Sequence, residues 1–307
     1  FLLMLIVLCT YSNAQFLMDM VDTTTEKGKG MLAIYKKFDH LRIGGYIQPQ
    51  FQIASEKGIK TFAGTDFPSQ VSNRFMLRRS RVRIDFAHFE NGNRPGVQIV
   101  FQFDANERSF SVRDVWGRIF ENNLKLFSFT TGIFARPFGY ETNLSSSDRE
   151  SPERTRMNQT LMKSERDLGA MVSFDVRRKE SAIKNLKIDL GVFNGQGINA
   201  AGEFDNTKDI IGRVSLKPYH LSKAVIVSAG ASVLMGGLQN NTKYIYNTIT
   251  EGGVKKEKID SAVSNVGTVS PRKYFGGDLQ LKYKNRKGLV SELRAELIAG
   301  KQTGTGS

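Results

Sequence analysis

Apolar and polar residues alternate with a period of two along most of this chain. In Leu41 to Ile53, Leu41, Ile43, Ile47, Phe51 and Ile53 share one parity, and Arg42, Tyr46, Gln48, Gln50 and Gln52 share the other. The stretch GVQIVFQFD sets Val97, Ile99, Phe101 and Phe103 against Gln98, Gln102 and Asp104. Ile188, Leu190 and Val192 oppose Lys187 and Asp189, while Leu289, Leu293, Ala295 and Leu297 oppose Glu292, Arg294 and Glu296. Period two is the signature of half-buried strands, and helical periodicity is scarce. About eleven such segments begin near residues 41, 75, 96, 110, 125, 168, 185, 208, 224, 273 and 288. Most run about ten residues, longer than an ordinary strand and suited to crossing a bilayer at a tilt.

The connections carry a second pattern. They run about 20, 7, 5, 4, 33, 8, 13, 7, 36 and 4 residues, so the even-numbered ones are short and the odd-numbered ones, except the third, are long. Short turns at one end and long loops at the other are the mark of an outer-membrane barrel. The expectation is therefore an all-β, transmembrane antiparallel β-barrel with about eleven strands in this chain. Bacterial single-chain barrels close with an even number, so the reading expects further C-terminal strands beyond it.

The N-terminal FLLMLIVLCTYSNAQ is a short apolar run ending in small residues. It reads as an incomplete signal peptide over residues 1–14, followed by a polar periplasmic lead over 15–38 and the barrel domain over 39–307. Cys9, the one cysteine, falls in that signal, which leaves an exported chain without disulfides. A formal charge of +14 asks for an anionic partner: nucleic acid, anionic lipid or anionic solute. Nucleic acid is set aside, because the basic residues alternate with apolar ones and do not interleave with exposed aromatics. The expected location is the outer membrane, in contact with its lipid.

The stretch FMLRRSRVRIDF, Phe75 to Phe86, concentrates the chemistry. With Val82, Ile84 and Phe86 facing lipid, Arg79, Arg81, Arg83 and Asp85 face inward. Arg78 falls on the lipid parity, so it sits near an interface, snorkels or marks a bulge. Like charges on one strand face stand about 6.6–7 Å apart and repel by about 0.6 kcal/mol in water and about 2.4 kcal/mol at an effective dielectric of about 20. Compensation is expected from Asp85, Asp104 and Asp114. Such a ladder offers oxyanions bidentate bonds as they pass; the alternative is a merely solvated wall. The connection over 135–167 is the candidate constriction, with Arg149, Arg154 and Arg156 as its contributors. Three scattered histidines show no ligand spacing, and GQGINA, Gly195 to Ala200, matches the dinucleotide fingerprint without the helix that fingerprint requires. No enzyme and no cofactor is expected.

These segments together resemble the phosphate-selective porin O and P family. The resemblance runs through GGYIQPQFQ, FMLRRSRVRIDF, GVQIVFQFDA, SVRDVWGRI, TTGIFARPFGYE and VFNGQGIN, over roughly residues 40 to 300. It implies a barrel of about 16 strands when complete, assembled as a homotrimer, with an arginine ladder leading small anions such as phosphate to a constriction. Carried over by residue, the ladder falls on Arg78, Arg79 and Arg81, the acidic position of the constriction on Asp114, and an eyelet arginine near Arg154. At the strand end Gly132 to Phe138, Ala135 stands where the family has a phosphate-site lysine, and Arg136 follows on the opposite face unless the strand bulges. The resulting expectation is an arginine-lined porin for small anions. The alternatives are a general porin without anion selectivity and a barrel serving as an adhesin or rim enzyme.

Overall fold

A computed structural model of the chain describes residues 40–90, 94–178, 180–198, 205–285, 289–302 and 304–305. The expected signal peptide and polar lead lie outside the described residues.

The expected strands form. They are β1 (Leu41–Ile53), β2 (Asn73–Glu90), β3 (Arg94–Ala105), β4 (Phe110–Phe120), β5 (Phe127–Ala135), β6 (Arg166–Asp175), β7 (Leu186–Phe193), β8 (Asp209–His220), β9 (Val225–Gln239), β10 (Ile245–Glu251), β11 (Val254–Asp260), β12 (Val269–Lys284), β13 (Val290–Gln302) and β14 (Gly304–Thr305). Eleven of them make one antiparallel sheet in chain order, β1 to β9 followed by β12 and β13. β1 and β13 are its edges, and no pairing joins them among the described residues. The ninth connection is a correction to the sequence reading. It holds the hairpin β10–β11, turned at Gly252 and Gly253 with φ of 61° and 80°, which is what a two-residue hairpin turn requires. Its residues are almost all exposed, so no buried face had marked it.

The alternation sorts the sheet into two unlike faces. One is apolar and bare: Ile47, Phe75, Leu190, Leu293 and Leu297 are 58–85% exposed, with Phe75 at 85% and Leu297 at 72%. Soluble monomers rarely leave so much contiguous apolar surface uncovered. The other face carries Arg79, Gln102, Asp114, Asp189, Asp278 and Gln280, all buried. The connection over residues 136–165 lies against this face, bonding Arg79 through Pro152 and Glu153.

That connection also shows how strongly the sheet curves. Nine inter-strand steps separate β2 from β13. In a flat sheet they would stand about 43 Å apart. Here Glu296 of β13 accepts from the backbone N–H groups of Tyr140 and Glu141 at 3.1 and 3.0 Å. Glu141 in turn accepts from Thr155 N–H at 2.8 Å, and Glu153, two residues before, pairs with Arg79 of β2 at 3.0 Å. A few hydrogen bonds bridge strands near the two edges. The sheet is rolled around this segment, with its polar face inside.

The roll is packed unevenly. Phe138 and Met162 of the connection sink into an apolar cluster with Phe134, Met171, Phe193, Ile211, Leu234 and Tyr274 on β5 to β9 and β12. The opposite side, formed by β1 to β4, meets the connection through charges.

Candidate functional site

The arginines of β2 reach the polar face through a break in register. Gln48 pairs with Arg79 but the next residue, Pro49, pairs with Leu77, so Arg78 is an extra residue in a β-bulge. The bulge turns Arg78 inward beside Arg79, which settles the three possibilities left for it. Each arginine then finds an acceptor. Arg78 and Arg79 both bond Glu153, Arg78 Nη2 at 2.9 Å and Arg79 Nη2 at 3.0 Å, and Arg79 Nη1 also donates to Gln48 Oε1 and the Pro152 carbonyl. Arg81 donates twice to Asp104 Oδ2, at 3.0 and 2.9 Å, and to Ser146 Oγ. Arg83 grips Asp85 with two bonds of 2.8 Å. Fork-to-fork pairs of this kind are strong and hold both planes. Four arginines share three carboxylates, so the ladder is largely but not fully neutralised.

A second bulge enlarges the cluster. Between Gln102–Asp114 and Phe103–Val112, Arg113 is the extra residue on β4, so Arg113 and Asp114 both face inward. Asp114, expected to compensate the β2 ladder in part, forms its ion pair with Arg166, whose Nε lies 3.1 Å from Oδ1, and also acts on the charge of Arg83. Glu165, at the end of the connection, pairs with Arg113, Arg154 and Arg166 at once. Arg166 also has Asp114, and Arg113 has a 3.7 Å contact with Asp104, itself held by Arg81, so the group keeps an excess of positive charge.

Arg154 staples the connection to itself, donating to the carbonyls of Glu141, Thr142 and Leu144 at 3.0–3.3 Å. Its pKa is pulled well down, by burial first and then by the guanidiniums of Arg149, Arg166 and Arg113. Arg149 is pulled down too, by burial and by Arg81, with Glu153 opposing. Guanidinium stays protonated at neutral pH, so these shifts express a crowd of cations that an added anion would stabilise. Arg149 Nε and Nη1 are buried with no partner.

Arg78, Arg79, Arg81, Arg113, Arg149, Arg154 and Lys163 line one cavity of about 450 Å³, against the carboxylates of Asp104, Glu153 and Glu165. Six residues singled out from the sequence, Arg78, Arg79, Arg81, Asp104, Arg149 and Arg154, thus come together. Arg83 and Asp114 line an adjoining cavity of about 530 Å³ instead. Arg136 joins neither. Just past the end of β5, it is buried against Asp209 Oδ2 at 3.4 Å and the Ser164 carbonyl, with Arg272 on the same carboxylate. Arg156 lies away from both cavities, its guanidinium 4.4 Å from the Phe62 ring. The GQGINA stretch begins as a turn, with Gly195 N–H donating to Asp167 Oδ2 at 2.6 Å and no helix following among the described residues.

Sequence reasoning missed Arg113, Glu153, Glu165, Arg166 and the pair Trp116–Arg118. For Arg113 a signal existed: Phe110 and Val112 are exposed on one parity and Ile119 on the other, so the alternation changes phase at the bulge. Among the described residues no group of three or more metal-binding side chains gathers.

Comparison of the chain with protein-family models, curated proteins and solved structures finds no match.

Proposed function

We propose that the chain forms the wall and constriction of an outer-membrane β-barrel porin through which small anions diffuse, phosphate among them. The apolar face is the lipid-facing surface in this reading, since charge there would cost about 2–4 kcal/mol per Lys or Arg at mid-depth and none is needed to explain the bare Ile, Leu, Val and Phe rows. The connection over 136–165, lying across the polar face, narrows the passage. The long connections over 54–72, 136–165, 194–208 and 240–268 gather at one end of the strands, the external end by this reading. The resemblance to the porin O and P family adds the expectation of a homotrimer.

One observation carries the anion reading. Seven cations face three carboxylates around the first cavity, and Arg149 there has two buried N–H groups with no acceptor. A field of that sign in a low-dielectric passage concentrates anions and excludes cations. The β2 ladder itself is largely matched by Glu153, Asp104 and Asp85, which favours a weaker second reading: a general porin with a wet, nearly neutral wall.

The test is ion selectivity of the full chain in a planar bilayer. Anion selectivity is expected, fading as salt shortens the Debye length from about 10 Å at 0.1 M to about 3 Å at 1 M. Arg149→Gln with Lys163→Gln should lower it further than Arg83→Gln, because Arg83 is already paired. Cation selectivity, or recovery of the protein in soluble form without detergent, would overturn the proposal.

A further inference from the structure

The second cavity differs from the first in chemistry. Its wall includes Trp116, the chain's one tryptophan, on the inward parity of β4 among polar residues. Arg118, two residues along on the same face, holds its guanidinium carbon 5.0 Å from the Trp116 ring and 5.9 Å from the ring of Phe120. Arg83 approaches the same indole from β2 at 6.0 Å. Cations at these distances are attracted to the ring face. The other cations of this wall are matched: Arg83 by Asp85, Arg213 by Asp278, Lys187 by Asp189 and Arg166 by Asp114. Arg118 forms no ion pair among the described residues, and its one side-chain bond runs from Nε to Thr130 Oγ1 at 2.8 Å. Its remaining N–H groups are left for a ligand.

The backbones of β4 and β5 approach closely at Trp116. Gly132 of β5 pairs with Trp116 at φ 121°, and a Cβ there would fall 2.3 Å from the Val115 carbonyl oxygen and 2.8 Å from Trp116 Cα. Only glycine allows that approach. Tyr140 and Met171 extend the apolar part of the wall. The cavity, about 530 Å³, falls in the about 300–1,000 Å³ range of sites for organic ligands.

We propose that this cavity binds organic anions with a flat apolar body, aromatic carboxylates being the type: the ring stacks on Trp116 while the carboxylate takes the free N–H groups of Arg118. The proposal rests on the reading of the polar face as an aqueous passage, and it adds a selection by shape to the selection by charge. A small inorganic oxyanion gains nothing from the indole. A neutral aromatic lacks the charge that Arg118 pairs with.

Because Trp116 is the sole tryptophan, intrinsic fluorescence of the detergent-solubilised full chain reports the site directly. Benzoate should give a saturable change, whereas phosphate and benzyl alcohol should give none or require far higher concentration. Arg118→Gln should weaken the benzoate response about tenfold or more, the scale of a lost charge-assisted bond. Arg118→Lys, which keeps the charge and loses the planar fork, should fall between. Electrophoretic heat-modifiability checks that each variant is folded, and the lysine variant stands in if the glutamine one is not. An equal response to benzyl alcohol, no saturable response to benzoate, or an unaltered response in both variants would overturn the site. Bilayer conductance is read separately. An anion-selective channel without the fluorescence response sinks the aromatic-acid site alone; an Arg118-dependent response in a protein that conducts nothing sinks the passage and keeps the site.

Discussion

The connection over 136–165 touches two sides of the rolled sheet in opposite ways. Against β5 to β9 and β12 it is held by shape: Phe138 is 0% exposed, its ring 6.4 Å from that of Tyr274, and Met162 is buried in the same apolar cluster. Against β1 to β4 it is held by charge, through Glu153 on Arg78 and Arg79, Ser146 on Arg81 and Tyr46, and Glu165 on Arg113. Apolar packing is non-directional and does not depend on charge. Buried ion pairs barely repay their desolvation and leave any unmatched cation exposed to the cavity. The apolar side thus fixes the segment, and the charged side is free to remain imperfectly neutralised. That division lets a site keep spare positive charge without the segment being expelled.

Removing the apolar side should have the largest effect. Phe138→Ala deletes a fully buried ring and should weaken docking of the connection by about 3–5 kcal/mol. Single-channel conductance should rise, anion selectivity should fall, and protease should cut within 136–165 faster than in the parent. If conductance and cleavage are unchanged, the charged side alone holds the segment and the comparison fails.

Next comes the clamp to the far edge. Gly139, at φ 67°, leaves room for Glu296, since a Cβ there would fall 2.1 Å from Oε1. Glu296 accepts two backbone N–H groups with that space available. Gly139→Ala should displace the carboxylate and strain the backbone, weakening docking by about 1–3 kcal/mol. The same protease assay measures it, and cleavage at the parent rate would show that the Glu296 clamp is dispensable.

Much of the division was legible in the sequence, and what was not has a physical reason. Period-two alternation placed all eleven strands of the sheet and sent Arg79, Arg81 and Arg83 inward, because one bare apolar face leaves parity little freedom. The lipid parity of Arg78 left a bulge as one of three readings, and the structure has one. Partner choice was less readable. Asp114 stands two strands from Arg81 yet pairs with Arg166, and Glu153 comes from a connection whose path depends on where Phe138 and Met162 find their cluster. The exposed β10–β11 hairpin escaped because an alternation with no buried face looks like a polar loop, although Gly252-Gly253 marked its turn.

A smaller effect is expected from Glu153→Gln. The substitution leaves Arg78 and Arg79 without their carboxylate, so anion selectivity should rise while docking weakens by about 1–3 kcal/mol. Selectivity that falls instead would mean that Glu153 shapes the passage more than it neutralises it.

The smallest effect is the same change made by protonation, and its sign follows from the shift of Glu153. Burial pulls its pKa upward, but the bond from Arg78 and the charges of Arg78 and Arg79 outweigh this and hold it below the ordinary 4.5. A depressed carboxylate contributes its stabilisation fully above the unfolded value and loses it only as pH falls through the lower, folded one. Docking should therefore be flat from neutral pH down to about 5 and begin to loosen only below about 4.5. Arg149 and Arg154 stay protonated across that range, and the other carboxylates of the cavity, Asp104 and Glu165, are told apart from Glu153 by the substitution, which removes only its own step. Selectivity measured against pH in the bilayer should show a rise toward anions only at that acid end, and Glu153→Gln should abolish the rise. A step near neutral pH, or one that survives the substitution, would assign the titration to another group and remove Glu153 from the charged half of the clamp.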